Sequence, residues 1–593
     1  MTPSTSRNEI AAKARHEADH FLNHEKQFHL GMLPTEQSNP KTRGLDRVFA
    51  SSPAGGVEML LSVDRDVEAM AQRVLASTQF DKMVEAGTHA VLTGKKIVFS
   101  GCGATGRLSI LLESMWRRFF RNVRRDHPGV CPKAARFENS VFSIMTGGDY
   151  ALIRSVEYFE DYQQFGRQQA RELEIAEGDV LIAITEGGET SSVLGTVAES
   201  LDRKARVFLM FNNPADILAQ HIERSRAAIE DPRVTVLDLF CGPMAIAGST
   251  RMQATTSEQL VGGAALELIL GRCLQPVLTP AELALLNVRI FDYATAFKSL
   301  LDELLAPANL ATLGSYLEME KAIYSRNGLI TYFAGDFLLD IFTDTTERAP
   351  TFMLPPFRKC DDAASLPSWA FVKDPLLPTA EAWEHILGRP VRCLEWNSDL
   401  YHCMGVPDLL ASNPPKLDKT QIVKFLIGNE EDPSRFSRSP NMAVSIVGGR
   451  EAGGAAYPEY KTAFAQSAAR FEKQSSLFVG DSKEPADFRI ACAPAASALR
   501  LMEHMAIKLV LNTISTGTMV LMGRVTSNWM SWVEVSNKKL RDRGIRLISE
   551  LCGVSYKDAC YALHETLEEM KTMDFAGRER PSPVQYTIRK LGK

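Results

Sequence analysis

The chain has 593 residues, 45% of them apolar and 23% charged, with a net charge of −5 from 67 basic and 72 acidic side chains. That composition excludes collagen-like, disordered and disulfide-scaffold proteins, and the near balance of charge supplies no broad basic face for nucleic acid or an anionic membrane. Ten cysteines are scattered without a CxxC pair or a metal-ligand spacing, which points to a reducing compartment without a structural zinc; neither a metal nor a cofactor is expected.

The first ninety residues are polar and helical in pattern, with a loop around Leu33–Asp46. The N-terminal MTPSTSRNEIAAKARHEADH carries charge where a secretory signal needs an apolar core, so a cytoplasmic protein is expected. β-Branched runs follow at Ile97–Ser100, Val141–Met145, Val180–Thr185, Val207–Phe211 and Val234–Leu239. Continuous apolar runs alternating with helix-length segments predict the buried strands of a parallel sheet in a doubly wound α/β domain. A helical stretch over Pro280–Lys321 leads to a second set of runs at Leu329–Phe333, Val391–Trp396, Ala443–Val447, Leu477–Val479 and Phe488–Cys492. Lys95–Gly106 (KKIVFSGCGATG) and Asn327–Leu338 (NGLITYFAGDFL) share one pattern of strand, glycine turn and helix, so the halves read as an internal duplication. Beyond them the chain is helical to about Met573 and ends in a polar tail. Its most apolar stretch, Leu509–Gly523, is too short and too interrupted for a membrane span.

The turn Gly101–Gly106 is formally GxGxxG after a strand. A dinucleotide site needs an acidic residue about 20 positions further on. Here the next strand ends only near Met145, in a second glycine turn, Thr146–Asp149. The alternatives are a turn that binds nothing and an anion nest. In the nest, helix N–H groups meet one phosphate with help from Gly103, Thr105, Gly106 and Arg107. Thr185–Ser192 (TEGGETSS) and Ala247–Thr256 (AGSTRMQATT) repeat the glycine and hydroxyl chemistry, with Gly187, Gly188, Thr190, Ser191, Ser249, Thr250 and Arg251 as candidate contacts. Ligands of open α/β sheets bind at the strands' C-terminal ends, so one shared pocket is expected. Trp116–Arg125 (WRRFFRNVRR) reads as an amphipathic helix whose arginines face solvent or acidic neighbours, and His402 and His504 lack a partner at metal spacing.

GCGATGRLSILLE, GGDYALIRSVEYFED, GSTRMQATTSEQL, SNPKTRGLD, KLVLNTISTG, GRVTSNWM, SNKKL and CGVSYKDACYAL resemble N-acetylmuramic acid 6-phosphate etherases and the glucokinase regulatory protein, both of the sugar isomerase (SIS) superfamily. The resemblance implies an α/β fold of two tandem SIS-type domains, each a five-stranded parallel sheet flanked by helices, with helical N- and C-terminal extensions. The expected divisions are an extension over 1–65, domains over 66–295 and 296–535, and a cap over 536–593. It also implies a composite site between the halves that binds a small phosphorylated sugar. The etherase pattern puts one glutamate at Glu160, with Glu157 a turn before it. Met115 replaces the other in the first half, and Glu347, in DTTERAPTF, stands at its place in the second. By the resemblance Glu160 is the base at C2 and Glu347 the acid, and Lys508 is a phosphate contact. The regulatory protein uses similar carboxylates without catalysis. A lyase or isomerase is therefore the leading expectation, and a sugar-phosphate-responsive regulator the other, with a sugar kinase or a second copy as partner. Glu186 and Glu189 would repel a phosphate unless they turn away or hold sugar hydroxyls, which puts a muramic acid substrate in doubt.

Overall fold

The computed structural model describes residues 7–156, 158–575 and 579–592. The chain opens with helix Arg7–His24, passes through a loop of short 3-10 turns between Lys26 and Thr42, and continues in four helices from Leu45 to Leu92. β1 (Ile97–Gly101), β2 (Val141–Met145), β3 (Val180–Ile184), β4 (Arg206–Phe211) and β5 (Val234–Asp238) form an all-parallel sheet in the order β2-β1-β3-β4-β5. β1 sits inside it, with Ile97 opposite Val141 on one side and Val180 on the other. Every residue of β1 and β3 is buried, as helices on both faces of a parallel sheet require.

β6 (Leu329–Phe333), β7 (Ala370–Lys373), β8 (Asn441–Gly448), β9 (Lys473–Val479) and β10 (Phe488–Ile490) form a second parallel sheet. Its order, β7-β6-β8-β9-β10, repeats that of the first sheet strand for strand. One expected strand is corrected. Val391–Trp396 is irregular apart from a bridge between Leu394 and Leu417, and the strand beside β6 is Ala370–Lys373. The backbone of Arg392 is engaged across the interface instead. Its N–H donates to the Asp149 carboxylate, and its carbonyl accepts from the Asp149 N–H at 3.0 Å.

The halves share one continuous apolar core, running from Leu45 to Met530. They are also pinned by charge. Glu113, fully buried on helix Ala104–Asp126, accepts from Arg117, Arg389 and Arg392. Burial opposes its charge, yet those guanidiniums hold its carboxyl down at about 2. The arginines of WRRFFRNVRR thus divide: Arg117 and Arg118 are buried, and Arg124 and Arg125 are exposed beside Glu138 and Asp126.

The apolar Leu509–Gly523 stretch lies mostly in helix Leu501–Leu521, which is buried around most of its circumference. No helix among the described residues is long and apolar enough to cross a membrane. Helices Lys538–Cys552, Tyr556–Met570 and Pro583–Lys590 follow. They pack with helix Arg7–His24 through Phe21, Ile545, Leu563 and Val584 into a small core of their own.

Candidate functional site

A cavity of about 270 Å³ opens at the C-terminal ends of the first sheet's strands. Its floor is Cys102–Ala104, the turn after β1. Gly103 has φ +59°, and a Cβ there would meet nothing within 4 Å, so the backbone presents itself bare to the cavity. Thr105 does not share that role: its hydroxyl is spent on the turn, accepting from the Cys102 N–H and donating to the Cys102 carbonyl. Gly106 is a packing residue, since a Cβ there would lie 2.8 Å from Met145.

Glu160, Glu186, Thr190, Ser249, Thr250 and Arg251 reach the same cavity from the segments after β2, β3 and β5. Glu347 reaches it from helix Leu338–Phe352 of the second half. The fourth wall is the start of the cap, with Asn537, Lys539 and Arg543. Gly187, Gly188 and Ser191 do not line the cavity. The Gly187 and Gly188 carbonyls accept from Asn213 and Ser225, which fixes the turn from behind. Glu157 lies outside the described residues.

Lys508 faces a smaller adjoining cavity of about 50 Å³, which it shares with Arg107, Arg251, Asp344 and Glu347. Its ammonium donates to the Met252 carbonyl at 2.9 Å and to Thr256, tying helix Leu501–Leu521 to the start of helix Gln253–Leu274. Burial, partly offset by Asp64, lowers its pKa to about 8. Arg107 is likewise buried, donating to Glu347, Thr346 and the Leu152 carbonyl.

The cations around the main cavity are matched one by one. Arg107 pairs with Glu347, and Arg251 with Asp344 at 3.0 Å. Lys539 pairs with Glu189 at 2.5 Å, and Arg543 forks onto both oxygens of Glu36 at 2.9 and 2.6 Å. Arg251 also donates to Ser515 and Thr516, but its buried Nε has no partner among the described residues. Glu160 accepts from Asn537 Nδ2 at 2.8 Å, and burial raises its pKa.

Sequence reading did not single out Asn537, Lys539 or Arg543 as site residues, although SNKKL carried part of the resemblance. The available signal was spacing: Lys539, Arg543 and Arg546, four and three apart, lie on one face of helix Lys538–Cys552.

A family model described as the glucokinase regulatory protein N-terminal SIS domain matches residues 79–201. The N-acetylmuramic acid 6-phosphate etherase of Glaesserella parasuis serovar 5 is 28% identical over 256 residues, 43% of this chain and 74% of that one. The N-acetylmuramic acid 6-phosphate etherase 1 of Bacillus licheniformis is 26% identical over 233 residues, 39% of this chain and 67% of that one. Among solved structures, the C-terminal domain of glucosamine-fructose-6-phosphate aminotransferase from Francisella tularensis aligns with a TM-score of 0.43 and 11% identity, covering 81% of this chain and 97% of that one. On the family model, the etherase relatives and two parallel sheets of one strand order, the chain resembles N-acetylmuramic acid 6-phosphate etherases and the glucokinase regulatory protein of the sugar isomerase superfamily.

Proposed function

We propose that the chain binds a small phosphorylated sugar in the main cavity and acts on it as a lyase or isomerase, beginning with removal of the C2 proton. The observation that carries this reading is the meeting of Glu160 and Glu347, from opposite halves of the chain, in one cavity at the strand ends. The etherase relatives support a phosphosugar as the ligand. The phosphate is met by the bare Gly103 turn, where a helix N-terminus favours an anion, by Ser249 and Thr250, and by the Lys539 ammonium.

Glu160 takes the proton. Its raised pKa suits a base that must keep what it abstracts, and Asn537 fixes its direction. Glu347, steered by Arg107, serves the leaving oxygen of an ether or returns the proton in an isomerisation. Arg107 and Lys508 act from behind the wall, Lys508 by holding the Met252 carbonyl at the end of the Ser249–Arg251 turn. A cytoplasmic location belongs to the same reading.

The test is solvent exchange. In deuterium oxide the protein should wash the C2 hydrogen out of its phosphosugar, and Glu160→Gln should slow that by about 10²–10⁴-fold while binding persists. Binding without exchange by the unaltered protein would overturn the catalytic reading.

A further inference from the structure

Glu186 is the carboxyl at the cavity wall that the proposed chemistry leaves unused. It follows β3 and is only 8% exposed, and its carbonyl accepts from the Asn212 N–H at 2.9 Å. Its carboxyl accepts from its own backbone N–H, and among the described residues it makes no ion pair and no hydrogen bond to another side chain. The nearby Lys539 ammonium is committed to Glu189. Behind Glu186 lies Glu258, fully buried, with one oxygen held by Asn212 Nδ2 at 3.0 Å and the other without a partner among the described residues. A buried carboxylate without a cation is costly, whereas pairing with one inside a water-poor cavity is favourable.

We infer that Glu186 receives a ligand ammonium, so that the sugar carries a free amine as well as its phosphate: an amino-sugar phosphate rather than its N-acetyl or hydroxyl counterpart. The inference rests on the phosphosugar reading above and narrows it. Two further facts fit. Burial, with Glu347 and Glu189 alongside and Lys539 opposing, pushes the Glu186 carboxyl up to about 7. Burial and the neighbouring Glu186 drive Glu258 well above the ordinary carboxylate range, so of the two carboxyls Glu258 holds its proton the more tightly. A ligand cation fixes the charge on Glu186. A hydroxyl gains far less from it, and an acetamide adds bulk without charge.

Calorimetric titration of the full chain at pH 7 with the 6-phosphates of glucosamine, N-acetylglucosamine and glucose tests this. Glucosamine 6-phosphate should bind roughly tenfold or more tightly than the other two, and Glu186→Gln should bring the ratio close to one. Equal binding of all three by the unaltered protein, a measurement that needs no variant to fold, would overturn the inference and leave the phosphosugar reading standing. A preference that survives in Glu186→Gln would overturn the assignment to Glu186. Failure of all three to bind would overturn both.

Discussion

At the scale of single residues, the cavity differs from a simple phosphate cradle in one respect: a carboxylate already sits on its cation. Lys539 Nζ lies 2.5 Å from Glu189 Oε1, and Glu189 is held in place by the Arg224 guanidinium, which donates to its carbonyl. Burial works against the Glu189 charge, yet Lys539 and Arg224 keep its pKa below the ordinary value. A phosphate reaching Lys539 has to share that ammonium. Glu189→Gln keeps the shape of the side chain and removes the competing charge, so phosphosugar binding should tighten by several-fold to about tenfold in a titration at neutral pH. Weaker binding would instead mean that Glu189 holds sugar hydroxyls. Sequence spacing alone offered both outcomes, because the direction of the carboxylate depends on Lys539, a residue far along the chain.

At the scale of elements, strands that run apolar from end to end were legible, and those defined by their partners were not. β1, β2 and β6 lie where β-branched runs put them. Ala370–Lys373 is short, follows Pro367 and Ser368 and ends in a lysine, so nothing in its pattern marks it as the neighbour of β6. Val391–Trp396 has the strand pattern, but Asp149 claims its backbone. Turns after strands pointed to Gly103, Thr190, Ser249, Thr250 and Arg251, all of which line one cavity. The cap contribution was hidden because Asn537 and Glu160 are 377 residues apart and meet only in the fold. The cap is tied to the N-terminal loop by Glu36. Burial opposes its charge, yet Arg543 and Arg546 lower its pKa from 4.5 to about 2. A folded pKa below the unfolded one adds stability above about pH 4.5 that is lost as pH falls toward 2, and that difference corresponds to about 3 kcal/mol. Glu36→Gln should therefore lower unfolding free energy by about that much at pH 7. In urea titrations the gap to the unaltered protein should shrink steadily below pH 4.

At the scale of the whole molecule, the two sheets repeat one strand order but have not kept equivalent turns. After β1, the glycine turn opens on the main cavity. After β6, the matching turn is filled from within: the Asp336 N–H donates to Glu451 Oε1 at 3.0 Å, and a Cβ on Gly335 would lie 2.6 Å from that same oxygen. A protein carboxylate thus stands where the first half leaves room for an anion. The second half contributes elsewhere, lending Glu347 to the first half's cavity and carrying the chain on to Asn537 and Lys539. A homodimer of single domains would have to build every such part twice, whereas a fused pair lets each half specialise. The consequence is a stoichiometry: one phosphosugar per chain, at the cavity shared by Glu160 and Glu347. Calorimetry should give one equivalent for the unaltered protein, with that equivalent weakened by Lys539→Met and indifferent to Glu451→Gln. Two equivalents, one of them lost on altering residues around Gly335, would show that both halves have kept a working site and that Glu451 yields its place to ligand.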